Sequence, residues 1–470
     1  MGITLALGVA GAGVVSYVLW WIFRDDLSRS PLDNLPGPAP SFLTLDVKEA
    51  AIRQAWKFWA NHAKTYGPVS LIYGLPRAQK AIGTRVPADG TAEVLDVNGW
   101  MARITLEMLG QAGLGYSFDN FVEDSTDPFG ESLRMFFPAQ NRFVLFGLLV
   151  MILSHFMSDA TLRRFFSIIP HKGLRDIMDI SATMRRRSQE IIEEKKAALR
   201  MGDDVMLQEV GEGKDLMSIC LRANMTASEA ERLSDEELIA QMSTFTLAGM
   251  DTTSNALSRI LHLLAQHPDA QEKLRAELIA AQGGPDGDGD ASLSYDALDK
   301  LPYLDAVCRE TLRLFAPVGL SGRMATRDLV IPLANPVRGR DGKDIHEVVI
   351  PKRMVVLMHY QAINSDPALW GEDAEEWKPE RWLAPLPRAV EEARIPGVYA
   401  NLMTFAAGSR SCIGFKFAQI EMKVVLSVLL PKFSFEVTDQ EITWNSAAVI
   451  YPTMGEESSK PEMMLKVKAL

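Results

Sequence analysis

One helical pattern dominates the middle of this chain. Ser234 with Glu237 three residues on forms a capping box, and apolar residues then recur at helical spacing, broken only by Gly249, as far as His267-Pro268. A run of about 30 residues makes a rod of roughly 45 Å, long enough to cross a whole domain. Shorter signals agree with it. Asp46 and Glu49 form another capping box, after which Ile52, Ala55, Trp56, Trp59 and Ala63 keep helical spacing until Gly67-Pro68. Val69 to Tyr73 reads as a short strand, helical patterns dominate from Asn98 onwards, and Lys172 to Arg200 reads as a long, charged, amphipathic helix. Gly202 to Asp215 and Gly283 to Asp290 are polar loops. Strand signals cluster late, at Leu329 to Pro332, Val348 to Ile350 and Met354 to His359, with an Asp341-Gly342 turn between them. The expected fold is mainly α with a small β component.

Composition narrows the function. Hydrophobic residues make up 47% of the 470 and charged residues 23%, which is too apolar for a disordered chain. Forty-nine Lys and Arg against 60 Asp and Glu leave a net charge of -11, which excludes nucleic-acid binding driven by bulk positive charge. The cysteines number three, Cys220, Cys308 and Cys412, so at least one thiol is unpaired and a reducing compartment is expected.

From Gly2 to Phe23 no charged residue occurs, a stretch of about 22 residues that suffices for a hydrocarbon core of about 30 Å. Tyr17, Trp20 and Trp21 lie near one end, and Arg24 and Arg29 follow, which places the body of the chain on the cytosolic side of a membrane. The expected organisation is a transmembrane anchor over 1–23, a hinge over 24–45 containing Leu35-Pro36-Gly37-Pro38-Ala39-Pro40, and one catalytic body over 46–470. A second apolar stretch, Phe143 to Met157, is too short to cross and reads as a core or interfacial segment.

Near the C-terminus the chain reads Phe405-Ala406-Ala407-Gly408-Ser409-Arg410-Ser411-Cys412-Ile413-Gly414, followed by a helical pattern from Phe415 to about Leu430. A cysteine just ahead of a helix meets unpaired N–H groups and the positive end of the dipole, which favour thiolate over thiol. Gly408 and Gly414 allow tight turning and close approach by something flat, while Arg410 is a permanent cation for an anionic group. Thiolate, flat partner and carboxylate-binding arginine together suggest haem iron with an axial cysteine.

This stretch resembles the haem-thiolate signature of the cytochromes P-450, Phe-x-x-Gly-x-Arg-x-Cys-x-Gly, at every fixed position. The resemblance implies the helix-rich fold of that family with its small β-sheet domain behind an N-terminal transmembrane helix, of the eukaryotic microsomal, fungal-like type. It implies haem b with Cys412 as iron ligand, Arg410 on a haem propionate and Phe405 packed beside the sulfur. Ala248-Gly249-Met250-Asp251-Thr252-Thr253 resembles the family's oxygen-binding stretch, with small residues letting the backbone pass close to a haem face and Asp251 and Thr252 as a proton-delivery pair. A threonine hydroxyl there can compete for the Ala248 carbonyl and loosen the helix. Glu310-Thr311-Leu312-Arg313 and Pro379-Glu380-Arg381 match two framework motifs, which makes Glu310, Arg313 and Arg381 a structural triad. Arg323 lies where relatives often place another propionate-binding arginine.

The implied activity is a monooxygenase of the endoplasmic reticulum membrane. It oxygenates a small apolar organic substrate with dioxygen and electrons from NADPH, passed on by NADPH–cytochrome P450 reductase. Lys416 and Lys423 after the ligand, with Arg410 before it, are a local basic patch suited to an acidic reductase. Two other readings are an isomerase or dehydratase of the same family, and a haem-poor, inactive membrane protein. The last has one support. Between Tyr66-Gly67-Pro68 and Trp100 only about thirty residues stand where relatives carry several helices, so the body is shortened around 75–97. That loss should expose apolar surface and weaken cofactor retention.

Overall fold

The computed structural model describes residues 75–119, 121, 128–141, 153, 156–169, 171–201, 215–229, 231–283 and 293–470. The expected anchor, the hinge, the helix after Asp46 and the strand Val69 to Tyr73 lie outside the described residues, as do most of Phe143 to Met157 and of the two polar loops. Among the described residues, no helix is long and apolar enough to cross a membrane.

The principal helices are α1 (Leu75–Gly83), α2 (Val97–Leu109), α3 (Pro128–Asn141), α4 (Lys172–Met201), α5 (Leu216–Thr226), α6 (Asp235–Gln266), α7 (Pro268–Ala281), α8 (Pro302–Leu314) and α9 (Phe415–Leu429). The strands are β1 (Glu93–Asp96), β2 (Leu320–Met324), β3 (Leu329–Arg338), β4 (Asp344–Ile350), β5 (Val355–His359), β6 (Gly397–Tyr399), β7 (Leu402–Ala407), β8 (Phe433–Val437), β9 (Ile442–Asn445), β10 (Tyr451–Met454) and β11 (Met464–Ala469). They fall into two compact units, 322–358 and the remainder.

The smaller unit is built on the antiparallel hairpin of β3 and β4, in which Leu329 pairs with Ile350 and the register shifts between Pro332 and Val337. Gly342 takes its turn at φ 80°, a conformation that glycine adopts without strain.

In the larger unit the long pattern forms α6, of 32 residues, with the capping box in place. The Ser234 N–H donates to Glu237 Oε2 at 2.8 Å, and Asp235, Glu236 and Glu237 put negative charge on the positive end of the helix. His267-Pro268 ends it, since proline cannot continue the hydrogen-bond ladder. Leu257, Ile260, Leu261 and Leu264, spaced as one face, are all 0% exposed. They share a single apolar cluster with Leu304 and Val307 of α8 and Val425, Leu426 and Leu429 of α9. Burying each such side chain contributes about 1.5–3 kcal/mol.

Helix α2 crosses α6 closely. Asn98 Nδ2 donates to Asn255 Oδ1 and Ser258 Oγ, both at 3.1 Å, and Thr105 Oγ1 donates to the Met250 carbonyl at 3.3 Å. A Cβ on Gly249 would stand 2.8 Å from Leu109 Cδ2, so the small residue at 249 serves this helix crossing.

The described chain closes on itself in the three-stranded sheet β1-β11-β8, where Leu95 pairs with Leu465 and Leu465 with Val437. Asp96 joins this sheet to the helices: Oδ1 caps α2 by accepting from the Gly99 N–H at 3.0 Å, and Oδ2 pairs with Arg134 of α3 at 2.8 Å.

Candidate active site

Strand β7 carries Phe405 into the cysteine loop, a single 3-10 turn over Gly408–Arg410, and α9 begins three residues after Cys412. The Cys412 N–H donates to the Phe405 carbonyl at 2.9 Å and the Ser411 N–H to the Gly408 carbonyl at 3.1 Å, which fold the loop back on its strand. Two residues turn through the left-handed region, Ala406 at φ 56° and Gly408 at φ 69°. Alanine pays about 1 kcal/mol or more for that conformation, and strain of this kind gathers at sites held for function. The Phe405 ring is held edge-on to Tyr399 at 5.5 Å and lies 6.2 Å from Phe415.

Cys412 is a free, exposed thiol. Partial desolvation in the loop raises its pKa above the usual thiol range, and the Gly414 backbone N–H pulls it down by less. Ideal Cβ atoms on Gly408 and Gly414 would meet nothing within 4 Å. Open ground before two glycines, next to an exposed sulfur, fits a flat group with a thiol-binding metal at its centre.

The pairing of β6 with β7 supports this loop and has no room for a side chain at one point. A Cβ on Gly397 would fall 1.8 Å from the Leu402 carbonyl oxygen, a backbone atom that cannot rotate away. Gly397→Ala should therefore lower stability by about 1–3 kcal/mol and displace the cysteine loop, which thermal unfolding of the two proteins will show.

On α6, Thr252 Oγ1 donates to the Ala248 carbonyl at 2.8 Å, and Thr252 is half-buried. Asp251 points elsewhere. Its carboxyl is buried, accepts from Asn255 Nδ2 at 3.2 Å, and is pushed up to about 7 by burial, against the opposing pull of Asn255 and Arg134. The expected pair are thus neighbours in sequence with no hydrogen bond between them.

A carboxyl that the sequence reading missed lies nearby. Glu421 of α9 is 0% exposed, neither oxygen has a hydrogen-bond partner, and burial raises its pKa well above the carboxylate range. Thr253 of α6 lowers it a little without reaching hydrogen-bond geometry. The available signal was one acidic residue inside the apolar stretch Phe417 to Leu429.

Glu310, Arg313 and Arg381 come together in full. Glu310 receives Arg313 in two parallel bonds of 2.9 and 2.8 Å, Arg381 Nε at 3.3 Å and Trp382 Nε1 at 2.9 Å. Arg313 also donates to the Asn364 carbonyl at 3.0 Å. Asn364 in turn bonds the Met403 N–H and the Thr404 hydroxyl, both at 2.8 Å. The network therefore ends one residue before Phe405.

Arg410 is exposed. Arg323 stands in the smaller unit, exposed, with Nη1 donating to the Gly322 carbonyl at 2.8 Å. Lys416 is exposed, but Lys423 is not. It is 2% exposed and paired with Asp305 at 2.8 Å and Asp299 at 3.1 Å, which removes it from the expected basic patch.

With this geometry in place the comparisons are decisive. A family model described as Cytochrome P450 matches residues 77–452. The chain belongs to the cytochrome P450 family. Ganoderic acid synthetase CYP5150L8 of Ganoderma lucidum is 48% identical to it, over 99% of this chain and 98% of that protein. Cytochrome P450 monooxygenase 91 of Postia placenta is 49% identical over 87% of this chain and 74% of that protein. The crystal structure of a cytochrome P450, CYP102L1, shares the fold at a TM-score of 0.63 and 23% identity, covering 90% of this chain and 80% of that one. The alignment with the Ganoderma protein runs over 544 positions against the 470 residues of this P450, so at least 74 positions of the relative have no counterpart here.

Proposed function

We propose that this P450 is a haem-thiolate monooxygenase acting on an apolar organic substrate, with Cys412 as iron ligand. The observation that carries the reading is the cysteine loop, where an exposed sulfur sits between two glycines that leave room for a flat group. When bound, haem with a thiolate ligand supplies dioxygen splitting and insertion of one oxygen atom into substrate. The protein's own residues would do the rest. Arg410 would hold a propionate, and Phe405 would shield the sulfur. Thr252 would hold a proton donor in line through its hydroxyl. Asp251, with its pKa near neutrality, would take protons from the buried polar patch and release them towards the oxygen side. Arg410 and Lys416 would receive an acidic reductase carrying electrons from NADPH, with residues 1–23 as the anchor in the endoplasmic reticulum membrane.

The test is NADPH-dependent oxygen uptake by the full chain with a reductase in membranes. Asp251→Asn should cut product formation by about 10²-fold with an unchanged haem spectrum. Because the acid form of Asp251 is the donor, turnover of the parent should fall as pH rises through about 7, and the variant should lack that limb. Unchanged turnover in the variant would overturn the assignment.

A second reading rests on those missing positions, at least 74 of them: the chain folds but holds haem weakly. The haem-to-protein ratio after gel filtration separates the two, near one for the first and far below one for the second.

A further inference from the structure

A line of buried side chains ties the carboxyl of Asp251 to a cation on another helix. Arg134 of α3 donates through Nη2 to Asn98 Oδ1 at 3.2 Å, Asn98 Nδ2 donates to Asn255 Oδ1 at 3.1 Å, and Asn255 Nδ2 donates to Asp251 Oδ1 at 3.2 Å. All four side chains are buried, and they come from three helices, α3, α2 and α6.

The direction of these bonds is fixed by the arginine. A guanidinium only donates, so Asn98 must turn its oxygen to Arg134 and its amide nitrogen to Asn255, which leaves the Asn255 nitrogen for Asp251. Every donor therefore points towards the carboxyl. The cation polarises the first amide and the first polarises the second, so the positive end of the last dipole rests on Asp251 Oδ1. Asn255 Nδ2 also donates to the Asp251 carbonyl at 2.8 Å, which fastens the same amide to the helix backbone.

The cation itself is held firmly. Arg134 Nη2 meets Asp96 Oδ2 at 2.8 Å and donates to the Pro461 carbonyl, while Asp96 Oδ1 caps α2 at the Gly99 N–H, one residue beyond Asn98. Among the described residues, the groups facing Asp251 along this line are Asn255 from its own helix, Asn98 from α2 and Arg134 from α3, with the Asp96 carboxylate of β1 behind the cation. Asn255 and Arg134 both oppose the effect of burial on the Asp251 carboxyl.

We propose that Arg134 is a positioning residue for Asp251, acting through Asn98 and Asn255 to fix the carboxyl on α6 and to favour release of its proton. Its effect on turnover rests on the reading of Asp251 as proton donor, whereas the coupling between the two side chains does not. Infrared pH titration of the purified full chain tests it, following the protonated-carboxyl band that is assigned to Asp251 by its loss in D251N. The parent band should vanish with a midpoint at about pH 7. R134Q should move that midpoint up by at least about one pH unit, and R134K, which keeps the charge, should move it less. N98L cuts the line but leaves the Arg134–Asp96 pair in place, and it too should move the midpoint up. In the loaded enzyme the fall of turnover with rising pH should shift in the same direction in R134Q, whereas a loss of packing alone would lower turnover without moving that fall. A midpoint that stays in R134Q, or that moves in R134Q and stays in N98L, overturns the proposal. Failure of the donor reading would appear separately, as a midpoint that still moves in R134Q beside a D251N chain that keeps its turnover.

Discussion

A Cys412→Ser chain is expected to lose the red-shifted band of its ferrous carbon-monoxide spectrum and all monooxygenase turnover. Serine keeps the size of the side chain but offers a hydroxyl that does not ionise near neutral pH and donates little electron density to a metal. Because Cys412 is exposed and fills no packed space, stability of the haem-free chain should change by no more than about 0.5 kcal/mol. Cys308 is the internal control: it is 1% exposed, and burial pushes its thiol up to about 12. Cys308→Ala should leave the band in place, and a Cys412→Ser protein that still shows it would remove the proposed ligand.

The largest effect on folding is expected at Glu310. Its carboxylate and the Arg313 guanidinium are both 0% exposed, and each is held by the other. Glu310→Ala strands the fully buried Arg313 and leaves Arg381 with Asp373 alone, and should cost about 3–5 kcal/mol in denaturant unfolding. The double change Glu310→Leu with Arg313→Met should cost less than the single one, because no uncompensated charge remains in the core. Additive losses would show that the pair acts through separate contacts. The damage should reach the cysteine loop, since Arg313 is tied through Asn364 to Met403 and Thr404 on β7.

What the sequence made legible was local. The capping box of α6, the His267-Pro268 stop and the Asp341-Gly342 turn depend on residues within a few positions of each other, and the cysteine loop is contiguous. Lys423 was misplaced because a lysine on a helix reads as solvated, while its partners Asp299 and Asp305 lie more than a hundred residues earlier. Glu421 was missed for the same reason, since its isolation comes from α6 packing against it. The strand Glu93–Asp96 carries no strong β signal of its own and is a strand only because β11 pairs with it. The stacking of Arg259 on Trp444 and Phe315 brings together residues from three elements and has no motif at all.

That last pairing also sets the order of events during synthesis. Leu95 finds Leu465 far along the polypeptide, so the sheet that seals the larger unit cannot form until both segments have left the ribosome. Until then β1 waits with an open hydrogen-bonding edge. A bulky group attached beside β11 would crowd the closing strand, and a tag set apart from that strand by a flexible spacer is the better design for producing this protein.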